Sequence, residues 1–311
     1  MPKSKPAGDK HVCLKHTSWV RGVRFTPDGS RLLTACFDGF VHEWDVATRK
    51  RARTFEIGQW CSALAVSADG ARVVGGNNVG RVVVWDRATG RAVADWNTGR
   101  ANVYDLDFAP DGTAVASANH DGTVSVWPVK SNPKGEHGAA HTGRVWSVRY
   151  DPTGCAVASG GEDGDIVVRS LLGGEPKRWH AHDGHVAALA YTPGATHLFC
   201  ATLSDTYIGQ TEGRRRTRET NLKLWQVSAP DKPALALAAP AAHGVAVSAD
   251  GRLVATAHTG HTVMVWTFEK KKPPRILTGH EDAVFAVAFA PDGKTLASAG
   301  PDCTARLWAL S

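Results

Sequence analysis

The chain has 311 residues, with 36 Lys and Arg against 30 Asp and Glu and a formal net charge of +6. That length suffices for one large β domain, and 32 Gly and 16 Pro punctuate it too often for long helices. No apolar run approaches the roughly 18 residues of a membrane-crossing helix, and the modest basic excess leaves acidic partners open.

Taken in chain order, residues 1–10 (MPKSKPAGDK) are basic with no apolar segment after them, so they read as a short disordered tail and not as a signal peptide. From His11 onward one unit recurs. Trp44, Trp85 and Trp127 mark its first three copies, and Trp225, Trp266 and Trp308 its last three, at a spacing of about 42 residues that indicates a repeat array. Arg169 holds the corresponding place in the fourth copy, which makes seven. Ahead of each marker stands a hairpin turn: Pro27-Asp28-Gly29, Ala68-Asp69-Gly70, Pro110-Asp111-Gly112, Pro152-Thr153-Gly154, Pro193-Gly194, Ala249-Asp250-Gly251 and Pro291-Asp292-Gly293. Asp-Gly between apolar runs favours a hairpin because Gly accepts the positive φ of the turn. The flanking runs, such as Val20 to Phe25, Val103 to Phe108 and Val284 to Phe289, are short and β-rich, and no helical period persists. The expected class is all-β with about four strands per unit.

Gly279-His280, Pro291-Asp292-Gly293, Ser298, Asp302 and Trp308, with Trp44-Asp45 and Trp85-Asp86, resemble the WD-repeat family, in a form that the Ala-, Arg-, Gly- and Val-rich composition suggests is bacterial. The resemblance covers residues 11–311. It implies a seven-bladed β-propeller in which the fourth strand of each repeat lies in the neighbouring blade. The strand His11 to Lys15 is then expected to supply the outer strand that the last repeat lacks and so close the ring.

The resemblance also implies a buried network in each blade, in which the Trp N–H finds a hydroxyl, the hydroxyl a His and the His an Asp. The set is complete in the first repeat (His16, Thr34, Asp38, Trp44) and the last (His280, Ser298, Asp302, Trp308). The fourth repeat keeps His141, Ser159 and Asp163 but has Arg169 for Trp. The third keeps Ser117, Asp121 and Trp127 with Gly99 for His. The fifth keeps His182 and Trp225 with Cys200 in the hydroxyl slot, the sixth Thr256 and Trp266, and the second only Trp85. Such His–Ser–Asp sets mimic catalytic triads, but they recur in several copies and the Ser falls in a strand, so they read as scaffold and no catalytic residue is assigned. The six Cys form no CxxC pair and read as buried free thiols. The His137, His141, His180, His182 and His185 group is repeat and loop His, so neither a metal nor a cofactor is expected.

Superposing the repeats exposes a set on the face bearing the His-end loops, where the resemblance places partner contacts: the residues flanking the first position of each inner strand and the residue before the repeat Asp. The candidate partner-binding residues are Trp19, Arg21, Phe37, Trp60, Tyr104, His120, Arg144, Trp146 and Phe285, with Glu162 the one acidic residue among the superposed positions. Aromatic and Arg side chains are those that anchor interfaces. The position equivalent to Gly22 is small in six repeats and Asp105 in the other. Basic runs at Arg49–Arg53 and Lys270–Lys272 fall on the opposite face, and Arg214–Arg218 lies in an insertion over residues 206–220. The expected function is a non-catalytic interaction scaffold, monomeric and cytoplasmic, that docks a neutral or acidic protein or peptide on the His-end face. Alternatives are a propeller hydrolase with a channel metal and a nucleic-acid-binding propeller.

Overall fold

The computed structural model describes residues 11–99, 101–130, 133–203, 221–267 and 272–310. The expected tail over 1–10, Arg214–Arg218, Lys270 and Lys271 lie outside them. Among the described residues there are 28 strands and no helix, arranged as seven four-stranded antiparallel sheets. The first blade comprises β2 (Val20–Phe25), β3 (Arg31–Cys36), β4 (Phe40–Asp45) and β5 (Arg51–Glu56) in that spatial order. Five further blades follow from inner strands Cys61–Val66, Val103–Phe108, Val145–Tyr150, His185–Tyr191 and Ala242–Val247.

The seventh blade closes the ring. Its chain-terminal strand β28 (Thr304–Ala309) pairs with β1 (His11–Lys15), from His11 opposite Trp308 to Lys15 opposite Thr304. Leu14 is buried there, in a cluster that joins Val20 and Val23 of the first blade to Ala297 and Leu307 of the last. The other apolar clusters likewise bridge adjacent blades, for example Leu33, Val41 and Phe55 with Leu64, Val73 and Trp85. Each sheet is therefore stabilised by burial against both neighbours, and a missing strand would expose an edge.

The turns behave as their residues dictate. Gly29, Gly70, Gly112 and Gly251 have φ near +70°, a region open to Gly at little cost. The Asp of the Trp-Asp dipeptide caps the next turn: Asp45 accepts from the Thr48 N–H at 2.7 Å, and Asp86 from the Thr89 N–H at 2.7 Å.

Two sequence expectations need correction. Cys36, Cys61 and Cys200 are buried, but Cys13 and Cys155 are exposed and Cys303 is half-buried. Cys13 points outward from the outer strand β1, where side chains alternate, and Cys155 and Cys303 lie in turns just before their strands. The first-repeat network also differs. Thr34 bonds His16 Nε2 at 2.8 Å and accepts the Trp44 N–H at 3.2 Å, but His16 Nδ1 donates to the Leu14 carbonyl at 3.1 Å and not to Asp38. His42 has taken that carboxylate, with Nε2 2.9 Å from Asp38 Oδ2.

Candidate docking site at the channel mouth

The scaffold networks are internal. In the last blade Asp302 accepts from His280 Nδ1 at 2.7 Å, Ser298 bonds His280 Nε2 at 2.7 Å, and Trp308 donates to Ser298 at 2.8 Å. Ser298 is fully buried, so no substrate reaches its hydroxyl. The fourth blade repeats the arrangement, with His141 2.8 Å from Asp163 and 2.9 Å from Ser159. In the third and fifth blades Trp127 donates to Ser117 at 3.2 Å and Trp225 to Cys200 Sγ at 3.4 Å. The sixth blade finds its His elsewhere: His258, two residues beyond Thr256 in the same strand, bonds the Thr256 hydroxyl at 2.7 Å, and Trp266 donates to that hydroxyl at 3.0 Å. This His was not legible in the chain, because the repeat normally carries its His at the loop position and not within the strand.

A β-bulge aims the rim residues. In six blades the register slips by one residue near the start of the inner strand, between Val20 and Gly22, Cys61 and Ala63, Val103 and Asp105, Val145 and Ser147, Val186 and Ala188, and Ala242 and Gly244. The extra residue left by a bulge is re-aimed out of the ladder. Here those residues are Arg21, Ser62, Tyr104, Trp146, Ala187 and His243, and with Phe285 of the last blade they line one cavity at the centre of the ring.

The aromatic candidates form two arcs on this face. One runs from Trp60 through Phe37 and Trp19 to Phe285 and His243, with centroid separations of 5.6, 5.8, 6.4 and 5.0 Å. The other links His120, Tyr104, Trp146 and His185 at 6.0, 4.5 and 6.3 Å. Trp60 is 57% exposed and Trp19 48%, and His120 is exposed, whereas Phe37, Tyr104, Trp146 and Phe285 are half-buried. Trp96 and Trp179 instead pack in the core beside Trp127 and Trp225.

The charges beneath the rim are unequal. Arg21 lies 5.3 Å over the Phe285 ring and makes no salt bridge among the described residues. Burial pulls its pKa below the ordinary Arg value, against the attraction of Asp105, so an added anion would be favoured there. Arg144 lies 5.9 Å over Trp146, and its backbone N–H donates to Glu162 at 3.0 Å. Deeper in, Asp105 accepts from Arg149 Nη1 at 2.5 Å, Ser147 at 3.0 Å and the Val148 N–H at 3.2 Å, and Arg24 lies 3.8 Å away. Asp107 accepts the Tyr150 N–H at 2.9 Å. Burial pushes its carboxyl up to about 6, against the pull of Arg149. Burial also pulls His243 down to about 3, assisted by Arg21, so that ring is neutral near pH 7. Arg21, Arg24 and Arg149 thus face two carboxylates, one of them titrating near neutrality, and the mouth is net positive. Arg24, Arg149 and Asp107 were not legible as site residues, because a strand pattern alone does not show which layer of the channel a side chain reaches.

Four segments of the chain, residues 9–45, 94–128, 136–170 and 271–309, match the family model described as WD domain, G-beta repeat. The second, fifth and sixth repeats lie outside the matched segments, whereas the third, with Gly99 in place of its His, lies inside them. Protein groucho of Drosophila melanogaster is 31% identical over 94 residues, covering 29% of this chain and 13% of groucho. Small ribosomal subunit protein RACK1y of Oryza sativa subsp. japonica is 29% identical over 106 residues, 33% of this chain and 31% of its own. Guanine nucleotide-binding protein subunit beta-2 of Caenorhabditis elegans is 36% identical over 67 residues, 22% of this chain and 18% of its own. The matches thus span less than a third of the length of these relatives. Among solved structures, the β-propeller domain of Cps50 (Swd1) from "Myceliophteria_thermophila" superposes with a TM-score of 0.81 at 18% identity, over 96% of this chain and 100% of that domain, a likeness of fold.

Proposed function

We propose that this chain, a seven-bladed propeller built of WD repeats, is a non-catalytic interaction module that docks a neutral or acidic segment of a protein partner at its channel mouth. The fold is one typical of interaction scaffolds, and the internal His–Ser–Asp networks are accounted for by packing. The observation that carries the reading is the Arg21 guanidinium, which makes no salt bridge among the described residues, is held over Phe285 by a bulge and is ringed by aromatic side chains, two of them large and exposed. Trp, Tyr and Arg so placed are the side chains that dominate interface energetics, each worth about 2 kcal/mol or more when a partner buries it. The positive mouth selects against basic segments.

The test is a random peptide library panned against the purified chain. Recovered peptides enriched in Asp and Glu, whose binding falls about thirtyfold or more in Trp60→Ala (about 2 kcal/mol) and also weakens in Arg21→Gln, support the proposal. Peptides that bind both variants as tightly as wild type, or that compete with labels placed near Arg49–Arg53, contradict it.

A further inference from the structure

We propose that Cys36, Asp38 and His42 form a binding site for a zinc ion under the rim of the first blade. Thr34 lies opposite His42 in the β3–β4 ladder, so Cys36, two residues after Thr34, shares a sheet face with His42. Gly39, at φ +93°, makes the tight turn that folds Asp38 back between them. One ligand atom from each of the three lies within 4.8 Å of the others, and Asp38 Oδ2 is 2.9 Å from His42 Nε2. Tetrahedral zinc with ordinary Zn–S, Zn–N and Zn–O bonds holds its ligand atoms about 3.3–3.6 Å apart, so side-chain shifts of roughly an ångström complete the site.

This set departs from the rest of the ring. The fourth and seventh blades keep the His–Asp pair, and there the positions of Cys36 and His42 are held by Gly161 with Val167 and by Gly300 with Arg306. Among the described residues, only in the first blade is the repeat Asp released from its loop His, which bonds Leu14 instead, and handed to a second imidazole beside a buried thiol.

The chemistry balances. One thiolate and one carboxylate neutralise a divalent ion, and a neutral imidazole completes a thiolate–imidazole–carboxylate set suited to zinc, with a fourth position left for water. Binding releases one proton, that of the Cys36 thiol, to solvent. The imidazole exchanges its Nε2 proton for one on Nδ1, and Arg51, whose Nη1 lies 3.4 Å from Nδ1, withdraws. Its side chain is exposed. Phe37, between two of the ligands, stacks on Trp60, so the ion would also pin the turn that carries this part of the aromatic arc.

The experiment is titration of the chelator-treated full chain with Zn2+ by calorimetry and with Co2+ by visible absorption. The expected result is one ion per chain, with a thiolate-to-Co2+ charge-transfer band. Cys36→Ser should lose the band, and His42→Val should weaken Zn2+ binding at least about tenfold (1.4 kcal/mol). A Cys13→Ser, Cys155→Ser double variant should bind as wild type does. Should Cys36→Ser fail to fold, His42→Val decides, since Val83 holds that position in the second blade. Wild type that binds neither ion at micromolar concentration, or His42→Val that binds Zn2+ like wild type, would overturn the proposal.

Discussion

Phe37 and Trp60 stack with centroids 5.6 Å apart and planes 9° from parallel, although they come from different blades. The stack leaves Trp60 57% exposed, so its outer face is free for a partner while its inner face is held. Trp60→Ala is therefore expected to change stability by less than about 1 kcal/mol. Trp146 is half-buried and lies 4.5 Å from Tyr104, and Trp146→Ala should cost about 1–3 kcal/mol. Denaturant melts of the two variants check this; equal losses would show that Trp60 is packed as tightly as Trp146.

Ring closure predicts a sharp boundary. A chain starting at His16 loses the five-residue pairing of β1 with β28 and the burial of Leu14. It is expected to lose about 3 kcal/mol or more, whereas a chain starting at Lys10 should melt like the full chain. Thermal denaturation of both decides it; matching melting temperatures would contradict closure by this strand.

The seventh and fourth blades both keep the His–Ser–Asp links, but their networks should differ in strength. Ser298 serves both His280 and Trp308, so Ser298→Ala leaves two buried groups without a partner and should cost about 2–4 kcal/mol. Ser159 serves His141, but Arg169 stands where a Trp would donate to it, and Ser159→Ala should cost about 1–2 kcal/mol. Unfolding in urea measures both; a larger loss at Ser159 would contradict the Trp link.

Acid sensitivity should centre on the buried His residues. His258 is fully buried, its Nδ1 lies 3.2 Å from the carbonyls of Pro240 and Ala241, and its Nε2 accepts from Thr256. Burial, opposed by these carbonyls, lowers it to about 4. The unfolded chain therefore binds the extra proton between about pH 6.5 and 4, and stability falls as pH drops through that window. This one group contributes about 3 kcal/mol at most. His258→Gln should flatten the pH dependence of the melting temperature there; an unchanged slope would contradict the assignment.

The blade count, the turns and the strand that closes the ring were all readable from the chain, because Trp in six copies and Asp-Gly turns in five are local signals that share one period. The side chains around the mouth were readable too, since repeat phase alone puts Trp19, Tyr104 and Phe285 on one face. What the chain did not reveal depends on competition in space. Asp38 has a loop His in the expected place, yet His42 reaches it from the neighbouring strand. His258 fills a vacant His position from within a strand, and the bulges that aim Arg21 and Trp146 leave no mark in residue spacing.

Docking of partners on the aromatic mouth is the core of the proposed function. Its most direct test is 19F NMR of the chain labelled with 5-fluorotryptophan, with signals assigned by single Trp→Phe variants, titrated with an acidic peptide recovered from the library. The Trp60, Trp19 and Trp146 resonances are expected to shift or broaden while those of Trp44, Trp85 and Trp308 stay in place. Perturbation confined to the blade-core Trp residues, with Trp19 and Trp60 unmoved at saturation, would contradict it.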